Sequence, residues 1–412
     1  MVSKIISESA EEPYPTKRFM VTGQKIATVP HHDLEFGGSL KKVPVAYTTH
    51  GSLSQQGDNV IVICHALSGS AKVGEWWQAL LNFGCNAALD TSKYFIVCMN
   101  CLGSPYGTAS PVTYKDGDPA LGPYGADFPL TSIRDDVRLF RKVLDGLGVK
   151  QILSVIGGSM GGMHVLEFSY FGPDYVKSII PIATSASYSA WGIAWGENQR
   201  QCIYMDPRYR ECKDCPKNMM TSESWLMGIF MSENGDYSQE DPPVAGLGAA
   251  RMAAMLSYRS HKSFQARFGR RAQKASLEAT DKNKNPNDCK ENSPLSLMAV
   301  QSYLQYQAKK FVNRFDANCY IALTHKLDTH DVSRGRSSTV LESLQQIKQP
   351  TLVMTIRSDI LFVFEEQLDL YRGIPNCRKE EIISADGHDG FLLEAEQINR
   401  FIGEFLEEVR MN

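Results

Sequence analysis

Residues Ile152–Met163 read ILSVIGGSMGGM, a run of apolar strand formers that passes directly into a glycine-rich turn around one serine. Ile152–Ile156 suits a buried strand, and a helix can begin near Met163 with no spacer between them. The turn itself, Gly157-Gly158-Ser159-Met160-Gly161-Gly162, matches G-x-S-x-G in the strand–turn–helix setting that the pattern's mechanics demand. A serine on so tight a turn holds strained dihedrals, and flanking glycines remove the Cβ atoms that would clash. The turn presents the Ser159 hydroxyl at the carboxyl edge of a sheet, above the peptide N–H groups of the helix start. A bystander serine in a glycine-rich turn is the plain alternative, and the flanking strand and helix argue against it.

Outward from this turn, short apolar runs alternate with amphipathic helical patterns, the signal of an α/β fold with a mostly parallel central sheet and crossover helices. Val43–Tyr47, Asn59–Cys64, Tyr94–Met99 and Val176–Ala183 read as further strands, and Thr351–Ile356 and Glu381–Ser384 resume the pattern much later. Ser132 can cap a helix whose apolar stripe is Ile133, Val137, Phe140, Leu144 and Leu147, ended by Gly148. A last amphipathic helix carries Ile398, Phe401, Ile402 and Phe405.

The interruption after Ala183 is rich in Trp, Met, Tyr and charge, with helical pieces at Trp225–Met231, Ala249–Ser257 and Leu295–Phe311. Three parts follow: a first core part over 1–183, a helical lid insertion over 184–340 with a polar loop near 261–294, and a second core part over 341–412.

The 412 residues carry 43 Lys and Arg against 46 Asp and Glu, a net charge of −3. No global positive field exists to hold nucleic acid or an anionic membrane. No run reaches the roughly 18 apolar residues of a membrane span, and the N-terminus lacks the apolar core of a signal peptide. The 10 cysteines include Cys64, Cys98 and Cys319 inside apolar runs, where a thiol is a small core side chain. The expectation is a reduced, cytoplasmic protein.

A serine hydroxyl needs a base, and the base needs an orienting acid, in the chain order Ser, Asp or Glu, His. His388 fits the base: it follows the last apparent strand in Asp386-Gly387-His388-Asp389-Gly390, a short loop leading into a helix. Asp359 fits the acid, three residues after the strand Thr351–Ile356. An oxyanion hole requires two peptide N–H groups. Met160 supplies one, and the loop Cys64–Gly69 supplies the other, with Leu67 the choice within it. Whether water or another nucleophile collects the acyl group is left open by these residue types.

Several strings resemble the homoserine O-acetyltransferase family. They are CHALSGSA at Cys64–Ala71, YGADFP at Tyr124–Pro129, IGGSMGGMHVLEF at Ile156–Phe168 and NQRQCIYMDP at Asn198–Pro207. GLGAARMAAMLSYRS at Gly246–Ser260, RFDANCY at Arg314–Tyr320, LDTHDVSRGR at Leu327–Arg336 and GHDGFLLE at Gly387–Glu394 continue the likeness. The strings span nearly the whole chain in order, and RFDANCY and LDTHD resemble the fungal branch in particular.

The resemblance implies an α/β-hydrolase fold with a helical lid and a ping-pong acyl transfer for methionine biosynthesis. Acetyl-CoA, a substrate rather than a resident cofactor, acylates Ser159, and the hydroxyl of an amino acid then attacks. Ser159, Asp359 and His388 fall on the family's triad positions, and Leu67 and Met160 on its oxyanion pair. Arg251 matches the arginine that holds the acceptor carboxylate, and Asp389 the aspartate that holds its ammonium. A surface ion pair for Arg251 and a helix N-cap for Asp389 are the bland readings of those two residues. The family also implies a homodimer.

Related enzymes acetylate L-serine or deacetylcephalosporin C, and a serine esterase would share the triad. Acyl length, acetyl or succinyl, is set by pocket shape rather than by these motifs. Two C-x-x-C pairs, Cys98/Cys101 and Cys212/Cys215, are too far apart in the chain to argue for a zinc site, so no metal is expected. Arg267, Arg270, Arg271 and Lys274 form a basic cluster whose plainest reading is a solvated helix face.

Overall fold

Apolar strands buried on both faces must be covered by helices on both sides, and the chain builds that arrangement. The computed structural model describes residues 7–8, 13–81, 87–210, 235–271 and 298–411. Their strands are β1 (Ser7–Glu8), β2 (Lys25–Asp33), β3 (Ser39–His50), β4 (Val60–Cys64), β5 (Phe95–Met99), β6 (Ile152–Gly158), β7 (Ile179–Ile182), β8 (Thr351–Thr355) and β9 (Cys377–Glu381). They form one sheet in the order β1-β2-β3-β5-β4-β6-β7-β8-β9. The three pairings from β1 to β5 are antiparallel, and every pairing from β5 to β9 is parallel. The mostly parallel sheet is as expected.

Two strands depart from the sequence reading. The last one is Cys377–Glu381, CRKEE, rather than Glu381–Ser384: its five residues pair in register with Thr351–Thr355, and all are half-buried. As the sheet's edge it needs no continuous apolar face, and Ile383 beyond it is 69% exposed. The strand expected from Val176 begins at Ile179, with Val176 making only an isolated bridge to Ile152. β2, KIATVPHHD, drew no expectation because its polar residues and proline dilute the apolar alternation.

Helix α1 (Ile133–Gly146) starts at Ser132 with a full capping box, the Ser132 side chain on the Asp135 N–H and the Asp135 carboxylate on the Ser132 N–H. Helix α2 (Met160–Ser169) follows β6 directly and is buried along its whole length. Between β7 and β8 the named elements among the described residues are helices. They include α3 (Ala190–Tyr204), α4 (Val244–Tyr258), α5 (Ala299–Val312) and α6 (Ala317–Asp328).

The expected helical pieces Ala249–Ser257 and Leu295–Phe311 correspond to α4 and α5, whereas Trp225–Met231 lies outside the described residues. Of the polar stretch 261–294, His261–Arg267 is a short helix, and 272–297 lie outside the described residues. Cys212 and Cys215 also lie outside them, while Cys98 and Cys101 are buried free thiols. The sequence closes with α7 (Phe364–Gly373) and α8 (Ala395–Met411), the latter burying Ile398, Phe401, Ile402 and Phe405. Among the described residues no helix is long and apolar enough to cross a membrane.

Candidate active site

The strand–helix turn has the strain its sequence implies. Ser159 sits at φ 59°, ψ −127°, a conformation that L-residues rarely adopt, and its N–H donates to Ile182 O at 3.0 Å. Glycine is required on both sides by contact. A Cβ on Gly161 would lie 2.1 Å from Cys64 O, and one on Gly157 would lie 2.6 Å from Gly161 O. The turn is therefore pressed against the end of β4, which brings the loop after Cys64 beside the serine.

Asp359 lies in a turn after β8. Its Oδ1 accepts the N–H groups of Leu361 (2.8 Å) and Phe362 (3.1 Å), and its Oδ2 is 2.6 Å from His388 Nδ1. The carboxylate thus caps its own turn and orients the imidazole at once. His388 is buried, stacked on Phe362 with ring centroids 5.2 Å apart and edge-on to Phe391 at 5.3 Å. Burial disfavours its charged form, but the charge and hydrogen bond of Asp359 and the charge of Asp389 outweigh it and raise its pKa above the ordinary value. With Nδ1 committed to Asp359, Nε2 is the nitrogen left for a reacting proton.

Ser159 and His388 line one cavity of about 100 Å³, together with Leu67, Arg251 and Asp389. Met160 and Asp359 are buried and do not line it, as a backbone donor and an orienting acid need not. The loop carrying Leu67 is fixed by His65, a residue the sequence reading passed over. His65 Nδ1 lies 2.8 Å from Ala66 O, and its Nε2 accepts the Cys101 N–H at 3.2 Å. Burial lowers the His65 pKa to about 4, which keeps the ring neutral for that pair of roles.

Arg251 enters the cavity from α4 with its guanidinium 4.8 Å from the Phe311 ring centroid and 5.4 Å from that of Tyr258. Its Nε and Nη1 are buried without a hydrogen-bond partner among the described residues, so it is not a surface ion pair. Asp389 stands at the N-cap position of a short helix, but its side chain makes no cap hydrogen bond. Its Oδ2 lies 2.9 Å from Arg259 Nε instead. Burial raises the Asp389 pKa, offset in part by the charges of Arg259, His388 and Arg251. Arg259 was not singled out from the sequence, although it sits eight residues after Arg251 in the same string. Among the described residues no group of three metal-ligating side chains converges.

Curated relatives carry the decisive likeness. A homoserine O-acetyltransferase of Emericella nidulans is 46% identical over 98% of this chain and 90% of its own length. That of Gibberella fujikuroi is 50% identical over 96% of this chain and 91% of its own. The chain belongs to the homoserine O-acetyltransferase family. The Saccharomyces cerevisiae member of this family is 42% identical over 97% of the chain and 89% of its own length.

A family model described as the alpha/beta hydrolase fold matches residues 59–212. Two solved structures share the fold: esterase E22 (TM-score 0.75, 22% identity, 93% of this chain and 99% of that one) and the homoserine O-acetyltransferase of Bacillus anthracis (TM-score 0.74, 21%, 93% and 97%). Both an esterase and an acetyltransferase are thus built on this scaffold, so the fold does not distinguish the two chemistries.

Proposed function

We propose that this enzyme transfers an acetyl group from acetyl-CoA to the side-chain hydroxyl of L-homoserine through an acyl-enzyme on Ser159. His388 Nε2 takes the Ser159 proton as Oγ attacks the thioester carbonyl. The N–H groups of Leu67 and Met160 receive the oxyanion, the C–S bond breaks, and the imidazolium returns the proton to the leaving thiolate. The acceptor hydroxyl then loses its proton to His388 as it attacks the acetyl carbon. Collapse expels Ser159 Oγ, which takes that proton back.

The observation that carries this reading is the Arg251 guanidinium, buried with two nitrogens unpartnered in the cavity of Ser159 and His388. An α-carboxylate supplies the two acceptor oxygens that such a fork grips, and Asp389, which lines the same cavity, would pair the α-ammonium. Together they would turn the side-chain hydroxyl toward His388. The small cavity favours a compact amino acid over a bulky bicyclic acceptor, and the relatives' names favour homoserine over serine and acetyl over succinyl.

The helices between β7 and β8 act in this reading as a lid that keeps water from the acyl-enzyme. The product, O-acetyl-L-homoserine, would feed methionine biosynthesis in the cytoplasm. A homodimer through the helical region is supported by the exposed apolar side chains of Trp191, Leu256 and Tyr306 there.

The test is thiol release from acetyl-CoA with L-homoserine, with L-serine and with no acceptor. Strong stimulation by L-homoserine alone is expected, and Ser159→Ala should lose at least about 10³-fold in rate. Release independent of any acceptor would mean that water is the nucleophile and the protein an esterase.

A further inference from the structure

The catalytic cavity, at about 100 Å³, is well below the roughly 300–1,000 Å³ of pockets that enclose a drug-sized ligand. A nucleotide-bearing thioester can therefore place only its acyl end there, and the rest must lie outside. Ser68, in the loop of the oxyanion donor Leu67, lines this cavity and also a second groove of about 470 Å³. Arg18, Lys310, Arg314 and Trp76 line that groove.

The charges there are placed to meet anions. Arg314 Nη1 donates to Ser68 O at 3.0 Å, and Arg18 Nη2 donates to Val312 O, so each guanidinium is anchored on the backbone by one nitrogen. Among the described residues no carboxylate pairs with Arg18, Lys310 or Arg314. Glu75, at the same groove, is neutralised by Lys72 at 3.0 Å. The local balance is positive in a chain whose net charge is −3. Trp76, which lines the groove with these cations, is fixed by its own hydrogen bond, Nε1 to Ser70 O at 3.1 Å. Guanidinium and ammonium groups beside an indole suit a purine nucleotide carrying several phosphates.

We propose that this groove holds the phosphate-bearing nucleotide of the acyl-CoA donor, with its thioester arm passing Ser68 to reach Ser159. The assignment rests on the proposed donor. In this arrangement Arg314 ties phosphate binding to the oxyanion loop through the Ser68 carbonyl.

The experiment compares two donors, acetyl-CoA and S-acetyl-N-acetylcysteamine, which has the same thioester but no phosphate. In the double variant Arg18→Ala/Lys310→Ala, kcat/KM for acetyl-CoA relative to that for the short thioester should fall about tenfold or more. Inhibition by adenosine 3′,5′-bisphosphate, competitive with acetyl-CoA in the unmodified enzyme, should weaken in parallel. An unchanged donor ratio with active acetyl-CoA turnover would overturn the groove and leave the proposed function standing. If the unmodified enzyme accepts the short thioester but not acetyl-CoA, the donor itself is wrong and the groove assignment falls with it.

Discussion

His388 lies between two carboxylates that both favour its charged form, Asp359 through a 2.6 Å hydrogen bond and Asp389 through its field. A general base must be neutral to accept a proton, so acylation should fail as pH drops through the raised His388 pKa. Asp389→Asn removes one of the raising charges, and the acid limb of the acylation rate should therefore move to lower pH. A chromogenic acetate ester with no amino-acid acceptor reads this step alone. A limb that stays in place would mean that Asp389 exerts no field on the base. With acceptor present, the same variant should raise the amino-acid KM by about tenfold or more, because the ammonium loses its charged partner.

These side chains could be found in the sequence because chemistry restricts their type and order: a nucleophile on a turn between glycines, then an acid after one strand and a base after another. Arg251 and Asp389 became visible only through the family likeness, since a lone arginine or aspartate has no mechanical signature. In the proposed mechanism Leu67 and Met160 would act through backbone N–H groups, so their side chains say little about that role. His65 was hidden for a different reason: its partners, the Ala66 carbonyl and the Cys101 N–H, are backbone groups that leave no trace in the string.

Helix α4 joins the cavity lining to the loop that holds His388. It carries Arg251, and at its end Arg259 reaches Asp386 Oδ1 (2.6 Å) and Asp389 Oδ2 (2.9 Å), the two carboxylates flanking Gly387-His388. Ser263 Oγ adds a 2.5 Å bond to the same Asp386 oxygen. The loop packs so closely here that a Cβ on Gly387, at φ +70°, would fall 2.7 Å from Ser260 N. In the proposed reading Arg259 is a positioning residue, and an incoming ammonium would share Asp389 with it.

Arg259→Gln should raise the acceptor KM and lower the transfer rate, each about tenfold, while ester-driven acylation changes less; Arg259→Lys should restore part of the loss. Equal losses in both half-reactions would mean that the latch merely holds the fold. The latch could not be read from sequence because its two sides lie more than a hundred residues apart. Among strands the same distinction holds. β4, β5 and β6 are buried on both faces and announce themselves as apolar runs. The edge strand β9 is CRKEE, selected by pairing rather than by hydrophobicity.

At the scale of the molecule, the helical segment between β7 and β8 must stay seated on the sheet for the cavity to exist. One buried charge cluster bridges the two directly behind the nucleophile turn. Lys326 of α6 donates to Asp136 Oδ2 of α1 at 2.6 Å and to Leu102 O at 2.7 Å, and both charged side chains are fully buried. His164 of α2, held to Met160 O at 2.9 Å, meets the same Asp136 oxygen at 2.8 Å. Burial opposes ionisation of Asp136, but Lys326 and His164 outweigh it and lower its pKa. The stabilisation from this depressed pKa is therefore present above the ordinary carboxylate range and lost as pH falls below it.

Lys326→Met strands the carboxylate in the interior and should cost about 3–5 kcal/mol near neutral pH. Adding Asp136→Asn to it should recover part of that loss, because the unpaired charge is gone. Urea midpoints of the two single variants and the double variant, taken at neutral and acid pH, measure the coupling. The gap between the unmodified protein and Lys326→Met should narrow toward acid, where both carry a protonated Asp136. A gap independent of pH would place the effect in packing, and the helical segment would then be held by its apolar contacts alone.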